Sequence, residues 1–126
     1  MNANVSPFRL DGQVALVTGA SRGIGRAILT TLASAGATVV GTATREEGAT
    51  EITRALEGSG FKGRGVVLDV SQPAQIDAVL ADVEQHEGAI TVLVNNAGIT
   101  RDNLLLRMKP EDWDAVLNTN LSSVFR

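Results

Sequence analysis

A run of four apolar residues, Val14-Ala15-Leu16-Val17, leads without interruption into Thr18-Gly19-Ala20-Ser21-Arg22-Gly23-Ile24-Gly25, and that turn opens a helical pattern. No other stretch of the chain limits its fold so tightly. A strand without polar residues is buried on both faces, so its sheet must be covered on both sides. The glycines let the chain reverse between strand and helix. Gly19 suits the tight turn, Gly23 a close approach of backbone to a ligand, and Gly25 a close contact of helix with strand. A buried strand, a glycine turn and a helix N-terminus, in that order, form a socket for the diphosphate of a dinucleotide.

Three more apolar runs, Thr38–Val40, Val66–Leu68 and Val92–Val94, read as further buried strands. Helical patterns separate them. The first places Ile24, Ala27, Ile28, Thr31, Leu32 and Ala35 on one face and ends at Gly36. The second, Glu46 to Glu57, is more polar and is closed by Gly58-Ser59-Gly60. The third is striped by Ile76, Val79, Leu80 and Val83, with Ser71 as its expected N-cap and Gly88 near its stop. Strands alternating with helices of this length predict right-handed crossovers and a parallel sheet. The expected fold is therefore α/β, a Rossmann-like doubly wound parallel sheet. Residues 1–126 read as a single dinucleotide-binding domain, truncated after the fourth strand and the start of the helix that follows.

Residues 96–103 read as a polar loop, and a last helix is expected from Pro110-Glu111-Asp112. Its apolar stripe is Trp113, Val116, Leu117, Leu121 and Val124, with Asn120 where another apolar residue belongs. An unpartnered amide there costs ~1–3 kcal/mol, so Asn120 calls for a specific partner, in the core or in a site. The pattern breaks off uncapped at Arg126, as the N-terminal half of a longer chain would, which leaves an expected open sheet edge beside the fourth strand.

Composition excludes several functions. A net charge of −3 without a long basic block argues against nucleic acid as a partner. The absence of cysteine removes thiolate metal sites and disulfides, and the carboxylates lack metal-ligand spacing, so no metal is expected. No apolar run approaches a membrane span, and the N-terminus lacks a signal-peptide core. A soluble cytoplasmic protein is expected. His86, between Gln85 and Glu87, reads as a solvated residue, and no histidine is placed to activate Ser122 or Ser123.

Cofactor preference is read at the end of the second strand, Gly41-Thr42-Ala43-Thr44-Arg45. An NAD site usually carries an acid there to hold the ribose hydroxyls. Thr44 stands in that place, with Arg22 and Arg45 nearby, which favours NADP(H); Glu46 and Glu47 weigh against it. Asp69 is suited equally to an adenine amino group and to capping the turn after its strand. Asn95 and Asn96 close the fourth strand at the carboxyl end, where open α/β sheets bind ligands.

Taken together, the glycine turn, Asp69-Val70, Asn95-Asn96-Ala97-Gly98 and Asn118-Thr119-Asn120-Leu121 resemble the short-chain dehydrogenase/reductase family, in the same order and from about Gln13 to Arg126. Within it, Gly41–Thr44, residues 99–105 and residues 120–126 resemble the members that reduce β-ketoacyl thioesters. The resemblance implies NADPH-dependent reduction of 3-oxoacyl-[acyl-carrier-protein] in fatty-acid biosynthesis. Acetoacetyl-coenzyme A reduction is the near alternative, and a non-catalytic nucleotide-binding fragment the distant one. It also implies a homotetramer. By resemblance, Gly19, Ala20, Ser21, Arg22, Gly23, Ile24 and Gly25 bind the cofactor phosphates. Thr44 lies by the adenosine ribose, Asp69 and Val70 by the adenine, and Asn96, Ala97 and Gly98 by the central part. Asn120 takes the place of the family's catalytic asparagine. The family's proton-donating tyrosine, with its lysine and serine, is expected beyond residue 126; the chain contains no tyrosine.

Overall fold

In the computed structural model the described residues are 9–96 and, as backbone alone, 104–107. The elements follow in the order β1 (Val14–Val17), α1 (Gly23–Ser34), β2 (Thr38–Ala43), α2 (Glu46–Gly58), β3 (Gly63–Val67), α3 (Pro73–His86), β4 (Val92–Asn95) and β5 (Leu104–Arg107). The sheet order is β3-β2-β1-β4-β5. β1 pairs in parallel with β2 on one side and β4 on the other, and β2 pairs in parallel with β3.

This order makes the sheet doubly wound. The chain steps from β1 outward to β3, then returns across β1 to β4. Right-handed crossovers therefore place α1 and α2 on one face and α3 on the other. The side chains divide accordingly. Ala15, Val17, Val39, Val92 and Val94 pack with Leu29, Ala33, Ile52 and Leu56 from α1 and α2. Val14, Leu16, Val40 and Leu93 pack on the other face with Ile76 and Val83 from α3. The alternation along each strand is the period of two, buried on both sides.

Four local expectations are corrected. The buried face of α1 carries Gly25, Leu29 and Ala33. Of the stripe expected from Ile24 to Ala35, Ile28 and Leu32 pack partly buried at the edge of that core, whereas Ile24 is 64% exposed. Two small residues, Gly25 and Ala33, made the true contact face look weak, although small residues are what permits close packing. β3 begins at Gly63 rather than Val66. A Cβ at Gly65 would meet the Ala49 carbonyl and, at 2.8 Å, Ile52 Cβ, so glycine here lets α2 lie close on the strand. Ser71 does not cap α3, whose N-cap is Gln72, without a side-chain capping bond. The Ser71 hydroxyl donates instead to Asp69 Oδ1 at 2.6 Å.

Lastly, the edge of β4 is not open. β5 pairs with it antiparallel, from Asn95 opposite Leu104 to Val92 opposite Arg107. Only residues 96–103 connect the two, which is shorter than the dozen or so that a parallel crossover needs. An apolar run beside unpaired strand amides thus takes the hairpin arrangement. The helix expected from Pro110 lies outside the described residues.

Arg64 ties β3 to the end of α3. Its Nε and Nη2 donate to the two oxygens of Glu87 at 2.7 and 3.0 Å, and Nη2 also donates to Asp82 at 2.8 Å. The hydrogen bond from Arg64 holds the Asp82 carboxyl below its usual range. A carboxyl depressed by folding stabilises above its unfolded pKa, and that stability is lost as pH falls through the folded value. Asp82→Asn is therefore expected to lower stability slightly at pH 7, by under about 1 kcal/mol for so exposed a pair. The deficit disappears once the pH falls below the depressed Asp82 pKa, under about pH 4. Urea midpoints measured from pH 7 down through the acid range check this, and a deficit that does not shrink as the pH falls contradicts it.

Candidate functional site

The chain reverses its winding direction between β1 and β4, so their carboxyl ends diverge into a crevice where open α/β sheets bind ligands. Buried polar groups knit its floor. Thr18, fully buried, follows β1, and its backbone N–H donates to the Val94 carbonyl at 3.0 Å. Its hydroxyl donates to Asn95 Oδ1 at 3.1 Å and accepts the Asn96 backbone N–H at 2.9 Å. Asn96 Nδ2 in turn donates to the Gly19 carbonyl at 3.1 Å. From β2, Thr42 accepts the Gly19 N–H on its hydroxyl at 3.2 Å and the Ala20 N–H on its carbonyl at 2.8 Å. The start of the glycine turn is thus held by strands on both sides of β1.

Beyond that anchorage the turn is open. Gly19 and Gly23 have φ of 63° and 65°, a region that side chains strain to enter. A Cβ at Gly23 would meet nothing within 4 Å. The α1 N-cap, Arg22, makes no side-chain capping bond, so the amides of the first turn lack the usual partner. Gly25 is the opposite case: a Cβ there would strike the Gly19 carbonyl oxygen and lie 2.7 Å from Asn96 Nδ2. One glycine leaves space in front of the helix, and the other removes space behind it.

Beside the turn lies a cavity of about 490 Å³ lined by Ser21, Arg22, Ala43, Thr44, Arg45, Glu47, Gly48 and Glu51. The N-terminus of α2 borders it, with Arg45 as an N-cap that again makes no side-chain capping bond. Two arginines and two glutamates therefore share the walls with an uncapped helix start. Glu46 is not among the lining residues, whereas Glu51, one turn further along α2 than Glu47, is. Glu51 stands four residues after Glu47, the spacing that sets two side chains on one helix face.

The structure brings Gly19 through Gly25, Thr44 and Asn96 to one end of the sheet. Asp69 and Val70 follow β3, two strands from β1, and do not line the cavity. Asp69 Oδ1 accepts both the hydroxyl and the backbone N–H of Ser71, at 2.6 and 3.0 Å. Those two bonds hold the Asp69 carboxyl below its ordinary range. Ala97, Gly98 and Asn120 lie outside the described residues. His86 is exposed, with its ring Nδ1 3.0 Å from Asp82. Among the described residues no cluster of potential ligands suits a metal, and no helix is long and apolar enough to cross a membrane.

A doubly wound sheet with an uncapped glycine turn at its switch point is a Rossmann-type architecture. The sequence profile of the short chain dehydrogenases matches residues 13–126, and the chain belongs to that family. It is 58% identical over 119 residues to the 3-oxoacyl-[acyl-carrier-protein] reductase FabG of Escherichia coli K12, covering 94% of this chain and 48% of that protein. It is 55% identical over 117 residues to the FabG of Pseudomonas aeruginosa, covering 93% of this chain and 47% of that protein. The Vibrio cholerae FabG is 56% identical over 119 residues, with coverage of 94% and 48%. The chain thus spans about half the length of the curated relatives it matches.

Proposed function

We propose that this chain is the cofactor-binding half of an NADPH-dependent reductase that converts 3-oxoacyl-[acyl-carrier-protein] to the 3-hydroxyacyl thioester. The observation that carries the reading is the open glycine turn beside the crevice, in a chain 55–58% identical to the three FabG proteins above. The residues fit a dinucleotide. The positive φ and empty surroundings of Gly23 leave room for a diphosphate against backbone, and the uncapped α1 start offers it amide donors. Asn96, with Ala97 and Gly98, borders the central part of the cofactor in this reading, and Asp69 and Val70 its adenine. Asn120 is assigned to the proton relay.

Bound NADPH supplies a hydride to the ketone. The alkoxide so formed requires a proton, and a neighbouring ammonium that lowers a phenol pKa makes tyrosine an effective donor. The chain contains no tyrosine, so the reading places the tyrosine, lysine and serine in the length of the relatives that this chain does not span. It also implies a cytoplasmic enzyme and a homotetramer. The test is turnover by the relative-length protein that contains this sequence, with acetoacetyl thioesters of carrier protein and of coenzyme A. Faster turnover of the carrier thioester is expected. A preference for coenzyme A would move the substrate to that carrier, and no turnover of either would overturn the reading.

The same cavity supports NADPH over NADH. A phosphate on the adenosine ribose would meet Arg22, Arg45 and the start of α2, against Glu47 and Glu51. Charges ~4 Å apart near a surface interact by ~4 kcal/mol, so a preference of about tenfold needs only a small part of one such pair, together with the uncapped start of α2, to outweigh the glutamates. Calorimetric dissociation constants are expected to favour NADPH by that factor, and Arg22→Ala to shrink it. Equal constants for the wild type contradict the assignment.

A further inference from the structure

We infer that Arg26 is a positioning residue, which aims the peptide amides of the glycine turn at the cofactor phosphates; the inference rests on the proposed dinucleotide site. Arg26 is half-buried and sits one turn into α1. Its Nε donates to the Ala20 carbonyl at 3.2 Å and its Nη2 to the Ser21 carbonyl at 2.8 Å. The planar fork of a guanidinium holds two acceptors in fixed relation, which a lysine ammonium does not.

The consequence follows from peptide geometry. In a trans peptide the C=O and the next N–H share a plane and point in opposite directions. Drawing the Ala20 oxygen toward Arg26 turns the Ser21 N–H away from it, and drawing the Ser21 oxygen turns away the Arg22 N–H. Ser21 and Arg22 are the two turn residues that line the cavity. The Gly19 and Ala20 N–H groups are already fixed on Thr42, so the turn is pinned from β2 at two peptides and from Arg26 at the next two. Without Arg26 those two peptides are free to flip, and a flip would present carbonyl oxygens to an anion. The guanidinium acts through the backbone, with its hydrogen bonds directed at carbonyls.

The experiment uses the relative-length protein with Arg26→Gln and Arg26→Lys. Arg26→Gln is expected to raise KM for NADPH about tenfold or more, with KM for the thioester and kcat at saturating NADPH within twofold of wild type. Arg26→Lys, which keeps the charge but not the fork, is expected to fall between. If Arg26→Gln does not fold, Arg26→Lys carries the test. Phosphorus NMR gives a second readout: the diphosphate and 2′-phosphate resonances of bound NADP should shift in the variants. Unchanged KM and resonances beside normal wild-type binding would overturn the inference alone. A loss shared equally by both substrates, with unchanged bound-phosphate resonances, would overturn it in favour of a purely structural Arg26. A wild type that ignores NADPH would overturn the dinucleotide site and this inference with it.

Discussion

Gly25→Ala is expected to cost about 1–3 kcal/mol of stability and at least about a tenfold loss of NADPH affinity. The added methyl would collide with the Gly19 carbonyl, lie 2.9 Å from the Gly19 carbonyl carbon and 2.7 Å from Asn96 Nδ2. The side chain of Asn96 can turn aside, but the Gly19 backbone is held through its N–H on Thr42. Relief therefore means moving α1 off the turn or moving the turn itself, and either displaces the amides that face the ligand. Gly58→Ala makes a sharp comparison, because a Cβ there meets nothing within 4 Å at the end of α2. That change is expected to leave NADPH affinity intact and to stabilise by about 0.5–1 kcal/mol, through the lower entropy of the unfolded chain. Urea unfolding and calorimetry on both variants decide the matter, and a Gly25→Ala protein as stable and tight-binding as wild type would refute the close contact.

Thr18→Val should destabilise by about 2–4 kcal/mol, although valine matches threonine in shape. The loss is the hydroxyl, whose removal leaves Asn95 Oδ1 and the Asn96 N–H without this partner in a site where Thr18 and Asn95 are fully buried. Each buried group so stranded costs roughly 1–3 kcal/mol. Asn95 has little reserve, since its Nδ2 already has no partner among the described residues. Thr18→Ser keeps the hydroxyl and should lose about 1 kcal/mol, the value of a buried methyl. A Thr18→Val variant within about 0.5 kcal/mol of wild type would show that the bonds linking β1 to β4 contribute little.

How far the sequence disclosed this arrangement depended on whether a signal was local. β1 was legible to the residue, because four apolar residues end at a polar turn. α2 was legible from its glycine stop and α3 from its apolar stripe and glycine stop, apart from the cap of α3. The contact face of α1 was only partly legible: Ile28 and Leu32 do pack on the core, but its centre runs through Gly25, Leu29 and Ala33, two of them too small to stand out. Gly65 interrupted a strand that in fact runs through it, since the need for glycine there came from the Ala49 carbonyl and Ile52 of the helix above. β5 was hidden for a different reason: its pairing depends on the edge of β4, not on any period of its own. Of the candidate site, the glycine turn and Thr44 could be named beforehand because type and order alone mark them. Thr18 and Thr42 could not, since what distinguishes them is a partner on a neighbouring strand. Arg26 was equally invisible: in one dimension it is a polar residue on a helix, and only folding sets it beneath two carbonyls.

The bond between Thr18 and Asn95 spans 77 positions of the chain. Closing so long a loop is entropically costly and slow compared with forming the neighbouring β1–α1–β2 unit. On the ribosome, then, the glycine turn emerges early but its second wall is missing until β4 has left the exit tunnel. Nascent chains halted before Asn96 lack the partners that Thr18 binds, and if the glycine turn holds a dinucleotide as proposed, they are expected not to retain it.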